Sequence, residues 1–196
     1  DHDYGGNNRG NEYPYKRATK NLFLNFFKEP KTSDRWNHPG IYTSYYYGDE
    51  AHQLQIIVLD TRTFLDVFSG EPIAPTRDTT KKFLGEEQWT WLKGELQKPA
   101  KVRIVMSSTQ MLHQHNGFES WTNYPHELQR FFRTIRETQA EGVFMVSGDV
   151  HWAELSRQQP DGMYPLYDMT SSGLNQIEDF PRPNQYRVGN ATRDLN

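Results

Sequence analysis

Short apolar runs alternate with amphipathic helical patterns along most of this sequence, and this alternation leaves few fold classes open. Mostly apolar runs at Leu54–Leu59, Val102–Met106 and Val143–Val146 have the length of strands that are buried on both faces. Between them, Gly85–Gln97 and Pro125–Thr138 carry apolar residues at helical spacing. The order strand, helix, strand, helix, strand predicts an α/β fold whose sheet is covered on both sides.

Further elements are predicted on either side of this central pattern. A helix opens at Pro14 and ends at Pro30, and Ile41–Tyr47 and Tyr164–Met169 are expected to be strands. The helical spacing of the first of these elements is carried by Leu22, Phe23, Phe26 and Phe27. No internal repeat or domain boundary is found, so residues 1–196 are interpreted as one domain.

Composition excludes several functions. The formal net charge of −3 and the lack of a basic stripe argue against a nucleic-acid scaffold. The chain has no cysteine, which excludes disulfides, thiolate zinc sites and a cysteine nucleophile. No run of 18 apolar residues occurs, so this segment is not expected to span a membrane. The chain begins at Asp1 rather than Met, which leaves room for an upstream leader or domain.

The first candidate site follows the strand that ends at Val146. Ligands of open α/β sheets bind beyond the carboxyl ends of the strands, and Asp149 and His151 occupy that position here. Two residues apart in an extended segment, their side chains are expected on the same side. A carboxylate and an imidazole that converge on one point suit a metal ion. The alternative is that Asp149 caps a turn and that His151 is a partly buried histidine with a hydrogen-bond partner.

A second candidate lies in the Gly- and Asn-rich start of the chain. Asp1, His2, Asp3, Asn7 and Asn8 offer carboxylate, imidazole and amide groups that can ligate a hard cation or hold a phosphate. The alternative is a solvated terminus. Neither cluster alone provides enough ligands for a site with two metals.

Other polar and aromatic residues are weaker candidates. His113 and His115 belong to a long loop, where they either line the pocket or face solvent. Trp121 and Tyr124 are expected to be packing residues rather than platforms for substrate.

Six motifs lie in order along the chain: Asp1–Gly5, Ile56–Arg62, Leu84–Leu92, Ser107–Gln110, Trp121–Pro125 and Ser147–Leu155. They resemble motifs of the PhoD-like (alkaline phosphatase D) family of metallophosphoesterases. The last is similar to the family's Ser-Gly-Asp-x-His-x-Ala-Glu signature. The resemblance extends from residue 1 to about residue 173.

The resemblance implies the carboxyl-terminal part of a catalytic domain with a four-layer α/β/β/α sandwich. It also implies a centre of two or more metal ions, iron and calcium or other divalent metals. On this basis His151 would bind the iron-type metal and Asp149 the second, calcium-type metal. Asn7 is the best match to an amide ligand in the amino-terminal loop. Asp1 would be a ligand or would orient one, and His2 would face the phosphate and assist the leaving group.

Arg62 is expected to contact substrate charge from the end of its strand, or to pair with a loop carboxylate. The family's leading metal ligands lie upstream and are missing from this chain, so the fold is expected to be incomplete on its amino-terminal side. A preceding segment or a second chain would complete it.

The expected activity is hydrolysis of phosphate mono- or diesters by a metal-activated water, in a secreted, periplasmic or extracellular enzyme. The alternative is a non-catalytic interaction subunit built on the same fold.

Overall fold

The computed structural model describes residues 4–68, 74–115, 117–174, 176, 178 and 180–192. All but one of its helices and strands follow in the order that the sequence predicts. The helices and strands are α1 (Lys16–Phe26), β1 (Thr43–Tyr47), β2 (Leu54–Val58), α2 (Gly85–Leu96), β3 (Val102–Met106), α3 (Pro125–Thr138), β4 (Val143–Ser147), β5 (Ala153–Gln158) and β6 (Leu166–Ser171).

All six strands belong to one sheet, in the order β1-β2-β3-β4-β6-β5. The four inner strands β2, β3, β4 and β6 are parallel, and the edge strands β1 and β5 pair antiparallel to their neighbours. The carboxyl ends of four strands therefore meet at one edge of the sheet, which is where ligands of such sheets bind. The predicted α/β class is confirmed.

Helices α2 and α3 bury one face of this sheet. Ile57, Val105 and Met145, on neighbouring strands, belong to the same buried cluster as Trp89 of α2 and Phe131 of α3. Alternate residues of a strand point to opposite faces, so these three side chains share one face. Burial of such side chains stabilises the fold by about 1.5–3 kcal/mol each.

A carboxylate of α3 accepts hydrogen bonds from the backbone N–H groups at the start of α2. Leu84 at the N-cap of α2 makes no side-chain cap bond. Glu127 Oε2 instead accepts hydrogen bonds from the backbone N–H groups of Phe83 and Leu84, both at 3.2 Å, and from Nε1 of Trp89 at 2.9 Å. This contact fixes the two helices relative to each other, because unpaired N–H groups at a buried helix start are costly.

The opposite face of the sheet is apolar but is not covered by a helix in the described part of the chain. Register places Val58 beside Met106, Met106 beside Val146, and Val146 beside Met169. Met106 is 40% exposed and Met169 is 45% exposed. We call this surface the open sheet face; it comprises Ile56, Val58, Ile104, Met106, Phe144, Val146, Leu155 and Met169.

The described residues thus form one helical layer and one sheet layer. The prediction that both faces of the sheet are covered is wrong for this part of the chain, because only the face toward α2 and α3 is packed. The second sheet of the predicted four-layer sandwich stays a prediction.

Two details of the sequence-based assignment differ from the structure. Strand β5 was not predicted, because its buried positions are the polar Glu154 and Ser156 rather than an apolar run. The apolar residues that defined α1 are largely outside the core: Leu22 is 69% exposed and Phe26 is 79% exposed, whereas Leu24 is buried.

Candidate active site at the carboxyl ends of the parallel strands

Polar loops leave the carboxyl ends of the parallel strands and contact one another. The hydroxyl groups of Thr61, after β2, and Ser108, after β3, are hydrogen-bonded. A Cβ on Gly148, after β4, would lie 3.6 Å from the Ser108 carbonyl oxygen and 3.5 Å from Cβ of Ser172, after β6. These are ordinary van der Waals distances, so the loops after β3 and β6 lie within contact distance of the turn at Gly148. The tertiary structure therefore brings four strand ends together at one site.

Asp149 and His151 lie at the centre of this edge with an unusual backbone. Their φ angles are +79° and +62°, in the left-handed region that residues other than glycine rarely adopt. The backbone N–H of His151 donates to Oγ of Ser172 at 2.9 Å, which holds the strained turn against β6. Strain of this kind is concentrated at functional sites.

The segment that carries these two residues is not extended, so the geometric reason for predicting their convergence is wrong. Their side chains are nevertheless close enough to interact. Burial raises the pKa of the Asp149 carboxyl above its ordinary value, and so does the nearby charge of Glu119, whereas Arg62 and His151 oppose the rise. A carboxylate that is desolvated in this way gains from any cation that binds it.

Arg62 is bound by a buried loop carboxylate. Its two terminal nitrogens donate to the two carboxylate oxygens of Glu119 at 2.5 and 2.6 Å, and Nη1 also donates to the Arg9 carbonyl oxygen at 3.1 Å. Of the two expectations for Arg62, the ion pair with a loop carboxylate is confirmed. A catalytic contact with substrate stays a prediction.

Asp60 organises the turn that leads from β2 to Arg62. Its carboxylate accepts hydrogen bonds from the backbone N–H groups of Arg62 and Thr63 at 2.9 and 2.8 Å, and from Oγ1 of Thr63 at 2.7 Å. It also accepts from the Ile41 N–H at 2.8 Å. Sequence reasoning named Asp60 only as part of a motif. An Asp directly after a buried strand, with its own backbone N–H groups in reach, is the signal that indicates this role.

The amino-terminal candidates are placed only in part. Asp1 and His2 lie outside the described residues, so their predicted roles are untested. Asn7 is exposed and belongs to a turn, next to Asn8 with a φ of +55°. Its role as a metal ligand stays a prediction.

The loop histidines and aromatic residues differ in burial: His113, Trp121 and Tyr124 are buried, whereas His115 is half-buried. His113 is only 3% exposed, so it faces neither solvent nor an open pocket, and burial lowers its pKa to about 4. Trp121 and Tyr124 are fully buried, which confirms that they are packing residues. Nε1 of Trp121 donates to Oγ of Ser107 at 2.9 Å, at the end of β3.

A buried carboxylate that sequence reasoning missed holds the loop after β3 in place. Asp168 of β6 accepts hydrogen bonds from the backbone N–H groups of Met111 and Leu112 at 2.8 and 3.0 Å, and from Oγ of Ser147 at 2.8 Å. Burial raises its pKa, and these hydrogen bonds oppose the rise. Its only signal in the sequence is an Asp within a strand pattern, which is rare without a partner.

The donors present do not by themselves complete a metal centre. Across the described ranges, no group of three or more His, Asp and Glu side chains is arranged to hold a metal ion. Asp149 and His151 provide one carboxylate and one imidazole, which are suitable in type but too few in number.

The described residues form an α/β protein whose parallel strand ends carry a strained carboxylate–histidine turn. This turn is a candidate ligand or catalytic site at the edge of the sheet. The chain belongs to the PhoD-like phosphatase family, whose model matches residues 19–178. This confirms the resemblance on which the sequence interpretation depended.

Two solved structures share the fold. The structure of PhoD has 20% sequence identity and a TM-score of 0.67, and the match covers 88% of this chain and 38% of that one. The structure of GAP50, described as the anchor in the inner membrane complex of Plasmodium, has 15% identity and a TM-score of 0.51, and the match covers 82% of this chain and 46% of that one. The chain thus spans less than half the length of either structure.

The comparison with curated proteins found no match. Among the helices that the structure describes, none is long and apolar enough to cross a membrane.

Proposed function

We propose that this chain carries part of the active site of a phosphate-ester hydrolase in which a metal-activated water attacks phosphorus. The observation that carries the proposal is the pair Asp149 and His151, both in left-handed backbone conformations where four strand ends meet. Membership of the PhoD-like phosphatase family supports a hydrolytic role. Both phosphomonoesters and phosphodiesters are candidate substrates.

The residues present fit a metal centre in chemistry, although they do not complete it. Asp149 would hold a hard, calcium-type ion through its carboxylate, and His151 an iron-type ion through its imidazole. When bound, such ions lower the pKa of a coordinated water and stabilise the charge on phosphoryl oxygens. Within the proposal, Asp1 and Asn7 would contribute further oxygen ligands, and His2 would face the leaving group.

Several groups of this chain would prepare the site for a charged ester. The Ser172 hydroxyl holds the backbone of His151, and the Arg62–Glu119 pair lies close enough to Asp149 to influence its pKa. In the metal-bound state we expect the carboxylate of Asp149 to be ionised, because a cation beside it overcomes the effect of burial.

The open sheet face supports a further part of the proposal, that another layer completes the fold. Strands of a parallel sheet are normally covered on both faces, and here the described helices cover one. A preceding segment of the natural polypeptide or a second chain would supply the other layer and the missing ligands. An exported or extracellular location, typical of the family, belongs to the same proposal.

The test uses the natural polypeptide that contains this chain. Elemental analysis is combined with hydrolysis of p-nitrophenyl phosphate and of its bis ester, before and after the double substitution Asp149→Ala with His151→Ala. We expect wild-type protein to contain metal and to hydrolyse at least one ester, and the variant to lose both while circular dichroism stays unchanged.

The matched control is Asp49→Ala with His52→Ala, which removes an exposed Asp–His pair whose ring nitrogen lies 2.9 Å from the carboxylate. This control should keep its metal content and activity. Turnover retained in the Asp149/His151 variant would contradict the assignment.

A specific observation favours a second candidate, a non-catalytic interaction subunit. Arg62 is already engaged by Glu119, and among the described residues no group of three or more His, Asp and Glu side chains is arranged to hold a metal ion. A folded natural polypeptide without metal and without turnover would favour that candidate.

A further inference from the structure

A cavity of about 330 Å³ opens beside the candidate active site. It shares Ser108 with that site, since the Ser108 carbonyl oxygen also faces Gly148. Its volume lies at the lower end of the range for ligand pockets, roughly 300–1,000 Å³. The cavity is therefore suited to one small organic group rather than to a segment of polymer.

Two structural elements form its walls. One wall is the end of β2 and its turn, with Leu59 and residues 60–63. The other is α1, which presents Lys20 and Phe23. Tyr4 and Ile41 complete the apolar lining.

Buried contacts hold these walls in a defined position. Arg35 forms an ion pair with Glu29, just after α1, at 3.0 Å, and its Nε donates to the Ile41 carbonyl oxygen at 3.0 Å. The Ile41 N–H in turn donates to Asp60 at 2.8 Å. A continuous chain of hydrogen bonds thus links the end of α1 to the turn after β2, so the cavity does not depend on a loose loop.

The polar groups of the β2 wall already have partners. The carboxylate of Asp60 accepts four hydrogen bonds, from Ile41, Arg62 and Thr63. The Tyr4 hydroxyl is hydrogen-bonded to Oγ1 of Thr63 at 3.0 Å. A ligand therefore meets mainly the rings of Tyr4 and Phe23 and the aliphatic side chains of Ile41 and Leu59.

Lys20 adds a positive charge at the border of the cavity. Its Nζ donates to the His38 carbonyl oxygen, and an ammonium has three donors. Partial burial lowers the pKa of Lys20, with the nearby charge of Asp60 opposing this effect. A partly buried ammonium gains when it donates to an acceptor or anion on a ligand.

We propose that this cavity binds the alcohol part of the ester, and that the preferred group is a flat aromatic ring with an acceptor directed at Lys20. This inference rests on the proposed function, because the phosphoryl group would lie on the Asp149 side of Ser108. The phenyl ring of Phe23 and the phenol ring of Tyr4 favour contacts with an aromatic group.

The test separates binding of the ring from binding of the phosphoryl group. Phenylphosphonate, 4-nitrophenylphosphonate and methylphosphonate are titrated calorimetrically into the metal-replete natural polypeptide, with no turnover required. We expect wild-type protein to bind phenylphosphonate about tenfold or more tightly than methylphosphonate. Phe23→Ser should abolish this preference without weakening methylphosphonate by more than about twofold.

The matched control is Phe26→Ser, on the same helix, since Phe26 is 79% exposed and does not line the cavity. Lys20→Met should remove the additional affinity of the nitro compound over phenylphosphonate. Phe23→Leu keeps the apolar volume without the flat ring, so it should retain part of the preference and exclude unfolding as the cause.

The outcomes distinguish the two proposals. A wild-type protein that hydrolyses esters but binds methyl- and phenylphosphonate equally would overturn the cavity assignment alone. Selective binding of phenylphosphonate without turnover would support the cavity and contradict the hydrolytic function. Binding of neither phosphonate would overturn the cavity assignment, and together with absence of turnover it would overturn both.

Discussion

Arg62 and Glu119 form a two-pronged ion pair in which both side chains are more than nine-tenths buried. Arg62 follows β2, whereas Glu119 lies in the long loop between β3 and α3. The pair therefore links that loop to the turn after β2, at the edge of the sheet where the candidate site lies. The guanidinium fork matches the carboxylate geometry, which lysine cannot reproduce.

Breaking this pair on one side should be costly. We expect Arg62→Met to lower the free energy of unfolding by about 3–5 kcal/mol, because the Glu119 carboxylate would stay buried without its partner. Urea denaturation measures the loss. Arg62→Met combined with Glu119→Leu should recover most of this loss. If the single variant loses less than 1 kcal/mol, the burial of the pair is contradicted.

The double variant also tests the predicted catalytic role of Arg62, since unchanged turnover would contradict that role.

The left-handed conformation of His151 predicts that glycine is preferred there for stability but not for function. We expect the free energy of unfolding of His151→Gly to exceed that of His151→Ala by about 1 kcal/mol. The reason is that alanine has a Cβ that clashes at positive φ, whereas glycine has none. The two variants should lose metal equally. Chemical denaturation with elemental analysis checks both statements, and an alanine variant as stable as the glycine variant would argue against a strained turn.

The hydrogen bonds of Asp168 predict unequal effects of two substitutions. Asp168→Asn keeps one oxygen for the N–H groups of Met111 and Leu112 and presents an amide to Ser147, so we expect a loss of about 1 kcal/mol or less. Asp168→Ala leaves the two N–H groups buried without an acceptor and should cost about 2–4 kcal/mol. Thermal and urea unfolding measure the difference. Equal losses would show that the acceptor oxygens are unimportant.

Burial of His113 predicts that stability falls toward acid pH. Its pKa in the folded state is about 4, below the ordinary value of 6.5, chiefly because burial disfavours the charged ring. The unfolded state then binds the extra proton between these values. The contribution of neutral His113 to the free energy of unfolding is fully present above about pH 6.5. It is lost progressively toward pH 4, by up to about 3 kcal/mol.

His113→Gln removes the titrating ring, so its unfolding free energy should fall less than that of wild type over the same interval. The comparison removes the effect of carboxylates on the pH dependence, because both proteins contain the same carboxylates. Identical slopes for the two proteins would show that His113 is not buried in its neutral form.

The open sheet face predicts that the 196-residue polypeptide studied alone exposes apolar surface. We expect it to bind a hydrophobic dye such as ANS, and Met106→Lys with Met169→Lys to reduce dye binding while unfolding changes by less than about 1 kcal/mol. Met145→Lys is the control, because Met145 is fully buried on the face toward α2 and α3. That control should lose more than about 3 kcal/mol. If Met169→Lys alone destabilises the polypeptide as strongly, the face is already covered.

The sequence predicted regular elements best where local and tertiary preferences agree. Helix α3 has the predicted bounds of Pro125–Thr138, because Pro125 suits the first helical turn and Gln139 ends the helix in a left-handed conformation. Strand β5 was missed, because its buried Glu154 is stabilised by Arg187 and Gln110 from distant parts of the chain. Contacts of that kind leave no local pattern.

For the candidate site, placement was predictable and conformation was not. Asp149 and His151 follow an apolar strand, so their position at the sheet edge could be inferred from the sequence alone. Their left-handed backbone could not, because neither residue type requires it and the contact with Ser172 that holds it spans 21 residues.

The sequence by itself determined the α/β class, the family and the strand ends at which chemistry is expected, because these follow from hydrophobic periodicity and from short local motifs. Only the tertiary structure decided that Glu119 is the partner of Arg62, that Asp60 and Asp168 are structural acceptors, and that α1 forms one wall of a cavity beside Ser108. The physical reason is that a buried polar group must find a partner somewhere in the fold, and the chain's path through space, rather than its local sequence, determines which partner is within reach.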